Sequence, residues 1–160
     1  MSPTQISSRV VADRMQLAEE LLGALRRLPL EDREAFFGDE RNIWAAESYL
    51  RRLLEALLDV GRHILAKGFG TVAETYRDVP TKLLTAHVLS KSTANLFGKM
   101  AGYRNRMMHF YHEMSKDELY EICITNFVDV EQVMDELRTW VRLHADQMDL
   151  PLDWNEDETL

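Results

Sequence analysis

The chain has 160 residues, of which 46% are hydrophobic and 29% charged, and its net charge is −8 at neutral pH. This length suits one domain with a sizeable core. No run of 18 apolar residues suggests a membrane span, and no basic start followed by an apolar segment suggests a signal peptide. The single cysteine, Cys123, cannot form an internal disulfide, so we expect it to be buried and the protein to be cytoplasmic.

The acidic balance restricts how the chain can bind nucleic acid. Proteins that hold long nucleic acids non-specifically usually carry a basic excess, because phosphate neutralisation drives their affinity. Any RNA contact must therefore come from a local basic patch or involve only a few nucleotides. The excess acid is concentrated near the C-terminus. We expect residues 1–146 to form a helical domain and residues 147–160 an acidic, flexible tail.

The first half of the chain predicts two long helices. Apolar residues separated by three or four positions mark the first one: Val11, Met15, Ala18, Leu22 and Leu25. Ser7 or Ser8 is its expected N-cap, and it must stop before Pro29. Asp39 is the expected N-cap of the second helix, which should end near Gly68–Gly70. Between the two helices we expect a short linker.

The second half predicts shorter helices and then one long one. Pro80 suits the first position of a helix through Leu89, and another helix should begin near residues 90–93 and lead into residues 104–112. Ser115 and Glu118 form a capping box that should open one long final helix, with an apolar face as far as Trp140. Because no alternating pattern competes with these helices, we expect an all-α, up-and-down bundle.

Residues 104–112 concentrate chemically active side chains: Arg104, Asn105, Arg106, His109, Tyr111 and His112. Five residues separate Arg104 from His109, which corresponds to about 140° around a continuous helix. One straight helix therefore cannot direct both side chains at one small group. Either the helix loosens at its C-terminal end, or a second copy supplies partner groups across a two-fold axis.

Arginine and histidine together suit cleavage of an RNA phosphodiester without a metal. An imidazole exchanges protons with the ribose 2′-hydroxyl or the leaving oxygen, and a guanidinium stabilises charge on the phosphate. His109 and His112 are spaced for chelation but lack further ligands, so we expect no metal and no cofactor. From the spacing alone, a solvated and capped helix end is the more frequent interpretation, by roughly two to one. We expect His63 to be a satisfied histidine at the edge of the core.

The segment Gly102–Tyr111 resembles the Arg-x4-His-x-Tyr signature of HepT-like toxins in the HEPN superfamily. The resemblance extends to a long helix over residues 42–67, a glycine-containing break at 68–70, and residues 117–122 after the motif. It covers most of residues 8–145 and leaves the acidic tail outside. One departure is Phe110, where the family often has a smaller or acidic residue.

This resemblance implies a homodimer whose two motifs face each other in a cleft. It also implies metal-independent RNA cleavage by Arg104 and His109, with Asn105 orienting the site. HepT-like toxins pair with a minimal nucleotidyltransferase antitoxin, which transfers AMP to the tyrosine that matches Tyr111. We therefore expect an RNA-cutting toxin subunit, with tRNA as one candidate substrate and with Arg106 and His112 in supporting roles. The rival interpretation is a non-catalytic helical partner that binds nucleotide or seats the nucleotidyltransferase.

Overall fold

A long central helix organises the fold. The computed structural model describes residues 5–152. Within this range the helices are α1 (Ser8–Arg26), α2 (Arg33–Phe37), α3 (Glu40–Phe69), α4 (Asp78–Thr85), α5 (Lys91–Met107), α6 (Lys116–Thr125) and α7 (Phe127–Leu143), followed by a 3-10 turn at Ala145–Gln147. The described residues form two isolated β-bridges but no strand. The predicted all-α bundle is confirmed.

The 30-residue helix α3 is the element on which most of the others pack. Helix α1 lies along much of its length, and α2, α4, α5 and α6 also contact it. Its apolar face is almost fully buried, with Leu53, Leu57 and Ile64 at 0% exposure. Burying one such side chain contributes about 1.5–3 kcal/mol, so this face supplies much of the stability of the fold. The opposite face of α3 is polar and remains available to the functional site.

Hydroxyl and carboxylate caps begin the helices at the positions that the sequence predicts. Ser7 accepts from Val10 N–H at 3.2 Å, Asp39 from Arg41 N–H at 3.0 Å, and Ser115 from Glu118 N–H at 3.1 Å. Caps of this kind contribute about 0.5–2 kcal/mol each. The long helix α3 ends at Gly70, whose φ of 62° is left-handed. Glycine adopts this conformation without steric cost.

The structure departs from the predicted elements in two places in the second half. Helix α4 ends at Thr85 rather than continuing to Leu89, because His87 adopts φ 61° and Val88 N–H turns back to Leu83 C=O at 2.9 Å. Pro80 occupies the third position of α4, still within the first turn, where no backbone N–H is needed.

The predicted long final helix is two helices, α6 and α7, separated at Asn126. Asn126 accepts from the Thr125 hydroxyl at 2.9 Å and donates to Asp129 at 2.7 Å. Such local side-chain bonds compete with the helical backbone pattern. The linker before α3 also contains an unpredicted helix, α2, which is capped by Asp32 and held by the fully buried Phe36.

The beginning and the end of the described chain are joined. Ile6 N–H donates to Gln147 C=O at 2.9 Å, and Asp149 N–H donates to Ile6 C=O at 2.9 Å. Ser8 N–H donates to the Asp149 carboxylate at 2.9 Å. Residues 147–150, the start of the predicted tail, are thus paired with the N-terminal segment, and residues 153–160 of that prediction lie outside the described residues.

Two predictions about single residues are confirmed. Ser7 N–H donates to Nε2 of His63 at 2.9 Å, so this histidine is satisfied at the edge of the core. Cys123 is 1% exposed, and burial raises the pKa of its thiol to about 12. The thiol therefore stays protonated and behaves as a small apolar group.

Candidate active site

Helix α5 ends at Met107, between Arg104 and His109. The chain then forms a tight turn in which Tyr111 N–H donates to Met114 C=O at 2.9 Å. Tyr111 has φ 72°, a left-handed conformation that is uncommon for a residue with a bulky side chain. The loosened helix is the first of the two arrangements that the spacing of Arg104 and His109 allows. We call residues 108–114 the motif turn.

Three groups hold Arg104 at the end of α5. Its Nε donates to Oε1 of Glu55 at 3.2 Å, and its Nη1 donates to Oδ1 of Asn105 at 3.3 Å. The guanidinium carbon lies 4.7 Å from the centre of the Tyr76 ring, within cation–π range. The side chain is 22% exposed, so it is partly desolvated but still accessible. Arg104 is therefore fixed in place and open on one side.

Tyr76 is itself fixed from the side of α3. Its hydroxyl donates to Oδ1 of Asp59 at 2.7 Å. Burial, followed by the bond to Asp59, raises the pKa of Tyr76 to about 12. The phenol therefore stays neutral near physiological pH and remains a hydrogen-bond donor. A second guanidinium, that of Arg62, lies 4.5 Å from the same ring, and its buried Nε has no hydrogen-bond partner among the described residues.

A ladder of charges along α3 leads to Arg104. Arg51 Nε donates to Glu47 at 2.9 Å, and Arg51 Nη1 donates to Glu55 at 3.4 Å. The Glu47 carboxylate raises the pKa of Arg51. Glu55 thus joins Arg51 on its own helix to Arg104 on α5. The last of these ion pairs places the Glu55 carboxylate against Arg104, the residue that the sequence predicts to bind a phosphate.

Arg106 forms an ion pair that spans the motif turn. Its guanidinium bonds the Glu118 carboxylate through both terminal nitrogens, with Nη1 at 3.2 Å from Oε2. In a full capping box Glu118 would turn back to the backbone of Ser115, but here it bonds Arg106. This ion pair joins the end of α5 to the start of α6 across the motif turn.

His109, Tyr111 and His112 are exposed on the motif turn. The Tyr111 side chain is 47% exposed, and its ring packs 5.3 Å from that of Trp44 and 4.5 Å from that of Phe110. Trp44 is 49% exposed and lies near the start of α3. An aromatic cluster of Trp44, Phe110 and Tyr111 therefore borders the two histidines.

The structure brings together only part of the predicted set. The side chains of Arg104 and Asn105 are hydrogen-bonded to each other, whereas the Arg106 guanidinium is bonded to Glu118 instead. Sequence reasoning missed Glu55, Tyr76 and Trp44, which surround the motif from other elements. The four-residue spacing of Glu47, Arg51 and Glu55 was a signal of an ordered charged face on α3.

No group of three or more histidine, cysteine, aspartate or glutamate side chains suited to holding a metal ion occurs within residues 5–152. Over the same part of the chain, no helix combines the length and apolar character needed to cross a bilayer.

The sequence of this chain matches a known protein family. A family model for HepT-like proteins, described as "Ribonuclease HepT-like", matches residues 17–137. The chain belongs to the HepT-like family. This HepT-like chain is also 27% identical over 89 residues to the mRNA nuclease HepT of Shewanella oneidensis, and the match covers 56% of the chain and 67% of the relative.

Solved structures share the fold of this HepT-like chain. The tri-AMPylated HEPN toxin of Shewanella oneidensis, in complex with its MNT antitoxin, superposes with a TM-score of 0.73 at 21% identity, covering 81% of this chain and 97% of the toxin. YutE of Bacillus subtilis, a cytosolic protein of unknown function, gives a TM-score of 0.71 at 15% identity, covering 88% and 95% of the two chains. The HEPN fold that the motif predicts is thus confirmed.

Proposed function

We propose that this HepT-like chain is the toxin subunit of a toxin–antitoxin pair and cleaves RNA without a metal. The observation that carries the proposal is the end of α5 at Met107. It leaves Arg104 held on the helix by Glu55 and releases His109 into an exposed turn. The similarity to a relative named as an mRNA nuclease supports the same activity.

In this reaction the ribose 2′-oxygen attacks the adjacent phosphorus, and the bond to the 5′-oxygen of the next nucleotide breaks. His109 takes the proton from the 2′-hydroxyl or delivers one to the leaving oxygen. Arg104 stabilises the charge that develops on the phosphate oxygens. The products carry a 2′,3′-cyclic phosphate and a 5′-hydroxyl. The chain's own side chains thus supply both proton transfer and charge stabilisation.

A homodimer belongs to this proposal. His109, Tyr111 and Trp44 are exposed around the motif turn, where a second copy would enclose them. A two-fold interface would then bring two motifs into one cleft and exclude water from the reacting phosphate. We expect an interface above the roughly 1,000 Å² of a specific contact. Sedimentation that gives a monomer at micromolar concentration would remove this part of the proposal.

Replacing the two motif side chains tests the activity. We expect His109→Ala to abolish cleavage of mRNA and tRNA substrates, and Arg104→Ala to reduce the rate by about 10²–10³, the usual cost of losing a charge-stabilising donor. Cleavage by the wild type should persist in excess EDTA. His87→Asn is a matched control, because His87 is also exposed and asparagine tolerates its left-handed backbone. Inhibition by EDTA, or a His109→Ala variant as fast as the wild type, would contradict the mechanism.

We further propose that a cognate nucleotidyltransferase neutralises the chain by transferring AMP to Tyr111. Half of the Tyr111 side chain is exposed, and the described residues provide no hydrogen-bond partner for its hydroxyl. An AMP group there would place a bulky anion beside His109 and compete with the RNA phosphate for Arg104. The structurally similar toxin from Shewanella oneidensis is tri-AMPylated in complex with its MNT antitoxin.

Mass spectrometry after co-expression with the cognate nucleotidyltransferase tests this modification. We expect one or more AMP units on the peptide that contains Tyr111 and none in Tyr111→Phe. Tyr103 and Tyr120 are internal controls, since Tyr120 is buried and its hydroxyl donates to Leu30 C=O. AMP on those residues, or normal neutralisation of Tyr111→Phe, would contradict the assignment.

The alternative function, a non-catalytic partner that binds nucleotide or seats the transferase, draws on one observation. Arg104 and Arg106 already have carboxylate partners, Glu55 and Glu118. Under that alternative RNA or nucleotide binds, but no cyclic phosphate product forms. The same incubation with RNA therefore separates the two functions.

A further inference from the structure

The ring of Tyr76 lies where three parts of the fold meet. It comes from the segment before α4, bonds Asp59 on α3 through its hydroxyl, and lies 4.7 Å from the guanidinium of Arg104 on α5. The segment that carries it is short and irregular, and the ring is half-buried. This position makes Tyr76 the link between the α3 scaffold and the guanidinium of Arg104.

We propose that Tyr76, together with Glu55, is a positioning residue for Arg104. The inference rests on the proposed ribonuclease function and deepens it. Glu55 fixes Nε of Arg104, Asn105 fixes Nη1, and the Tyr76 ring fixes the plane of the guanidinium. Among the described residues Nη2 bonds no acceptor, so it remains for a phosphate oxygen of the substrate.

A flat guanidinium stabilises phosphate charge only when its donors have the right direction. An arginine at the end of a helix, with only an i+1 neighbour to hold it, would sample many rotamers and pay an entropic cost in each catalytic cycle. Glu55 and the ring of Tyr76 together remove this freedom before the substrate arrives. A small misplacement of a group that acts on the transition state lowers the rate by as much as about 10²-fold.

The hydroxyl of Tyr76 has a secondary role in this arrangement. Because the phenol stays neutral, its bond to Asp59 holds the ring at one orientation without adding a negative charge beside Arg104. Removing the hydroxyl leaves the ring and its cation–π contact in place. Removing the ring takes away the contact itself. The two changes therefore separate positioning by the ring from anchoring by the hydroxyl.

The test compares Tyr76→Phe and Tyr76→Leu in the full-length chain, each alone and combined with Arg104→Ala. We expect Tyr76→Leu to lower kcat by about 10–100-fold while KM changes little, and Tyr76→Phe to keep most of the rate. In the Arg104→Ala background Tyr76→Leu should cause no further loss, since its target is gone. Tyr49→Leu is the matched control, because Tyr49 is a half-buried tyrosine on α3 whose ring contacts no arginine among residues 5–152.

A second readout does not depend on activity. In a spectrum of arginine side-chain N–H groups, the Nε–H of Arg104 should be shifted by the Tyr76 ring and protected from exchange by Glu55. Tyr76→Leu should remove the shift and reduce the protection, whereas Tyr76→Phe should keep both. Glu55→Gln should reduce the protection with the ring shift retained, which covers the case that Tyr76→Leu does not fold.

The outcomes separate this inference from the function on which it rests. If His109→Ala abolishes cleavage and Arg104→Ala slows it, but Tyr76→Leu cuts as fast as the wild type, the positioning role is wrong and the ribonuclease stands. Rate losses that multiply in the double variant would likewise overturn positioning, because they indicate a separate structural effect. If the wild type does not cleave RNA, the proposed function fails, and the Nε–H signal still decides whether Tyr76 orders Arg104.

Discussion

The interface between α1 and α3 and the end of α5 are held together by different kinds of contact. Along α1 and α3 the contacts are between apolar side chains at regular helical intervals, and residues such as Leu25 and Leu57 are fully buried. At the end of α5 the contacts are charged and aromatic, and the side chains of His109, Tyr111 and His112 are exposed. Apolar burial therefore determines the fold, whereas polar contacts and one left-handed residue determine the site.

This division has a functional consequence. Apart from Met114 and the partly buried Phe110, the motif turn contributes little buried apolar surface, so most changes at its other positions should leave the fold intact. A site of this kind can change its chemistry or accept a modification without unfolding. Variants in the helical framework should do the opposite: they should lower stability and leave the chemistry of each folded molecule unchanged.

The largest expected effect on stability comes from the framework. Leu57→Ala removes a side chain that is 0% exposed at the centre of α3, and should lower the free energy of unfolding by about 2–5 kcal/mol. Leu143→Ala is the control, since Leu143 is 74% exposed and should change stability by less than about 0.5 kcal/mol. Chemical denaturation measures both. Equal effects of the two variants would contradict the contrast between framework and surface.

Two glycines test how closely the helices approach. A Cβ at Gly61 would lie 2.7 Å from Val79 Cγ1 and 2.8 Å from Leu83 Cδ1, so Gly61→Ala should destabilise the contact between α3 and α4 by about 1–3 kcal/mol. A Cβ at Gly98 would meet no atom of the described residues within 4 Å. Gly98→Ala should therefore stabilise α5 by about 0.5–1 kcal/mol. Thermal unfolding should move in opposite directions for the two variants, and a shared direction would refute the argument.

The same division explains what the sequence could predict. Caps and apolar spacing are local, so the sequence predicts Asp39, Ser115 and either Ser7 or Ser8 as helix starts together with the framework helices. The break at Asn126 was missed because Asn126 lies four positions after Ile122 and four before Val130, on the face that the apolar residues share. The side-chain bonds of Asn126, which mark the end of α6, are not visible in such a pattern. The surroundings of Arg104 were missed because Glu55 lies 49 positions away, and no periodicity reports a pairing at that distance.

The ion pair across the motif turn should matter less for stability than its geometry suggests. Arg106 and Glu118 are each 37% exposed, and pairs at such positions contribute about 0–1 kcal/mol. We expect Glu118→Gln to lower stability by less than about 1 kcal/mol, with the loss shrinking at high salt. A double-mutant cycle with Arg106→Gln measures the coupling. A coupling above about 2 kcal/mol would show that the pair stabilises the fold as strongly as the framework does.

The smallest expected effect is a dependence on pH at the joined ends of the chain. Burial lowers the pKa of His63, and Lys67 lowers it further, while Asp149 opposes both. Neutral His63 accepts from Ser7 N–H, so the folded state takes up a proton less readily than the unfolded state. The contribution of His63 is therefore complete above about pH 6.5 and is lost as the pH falls from there toward the lowered pKa. Asp149, whose pKa the Ser8 N–H bond lowers, loses its contribution to stability only at more acidic pH, below its ordinary pKa of 3.8.

His63→Gln keeps an acceptor that does not titrate, so its unfolding free energy should vary less between pH 5 and 7 than that of the wild type. Because the two proteins differ only at residue 63, the difference between the two pH profiles isolates His63. Because His63 is only partly buried, the difference should stay well below the roughly 1.4 kcal/mol per pH unit of a full one-proton effect. Parallel profiles would show that protonation of His63 does not affect the stability of the folded state.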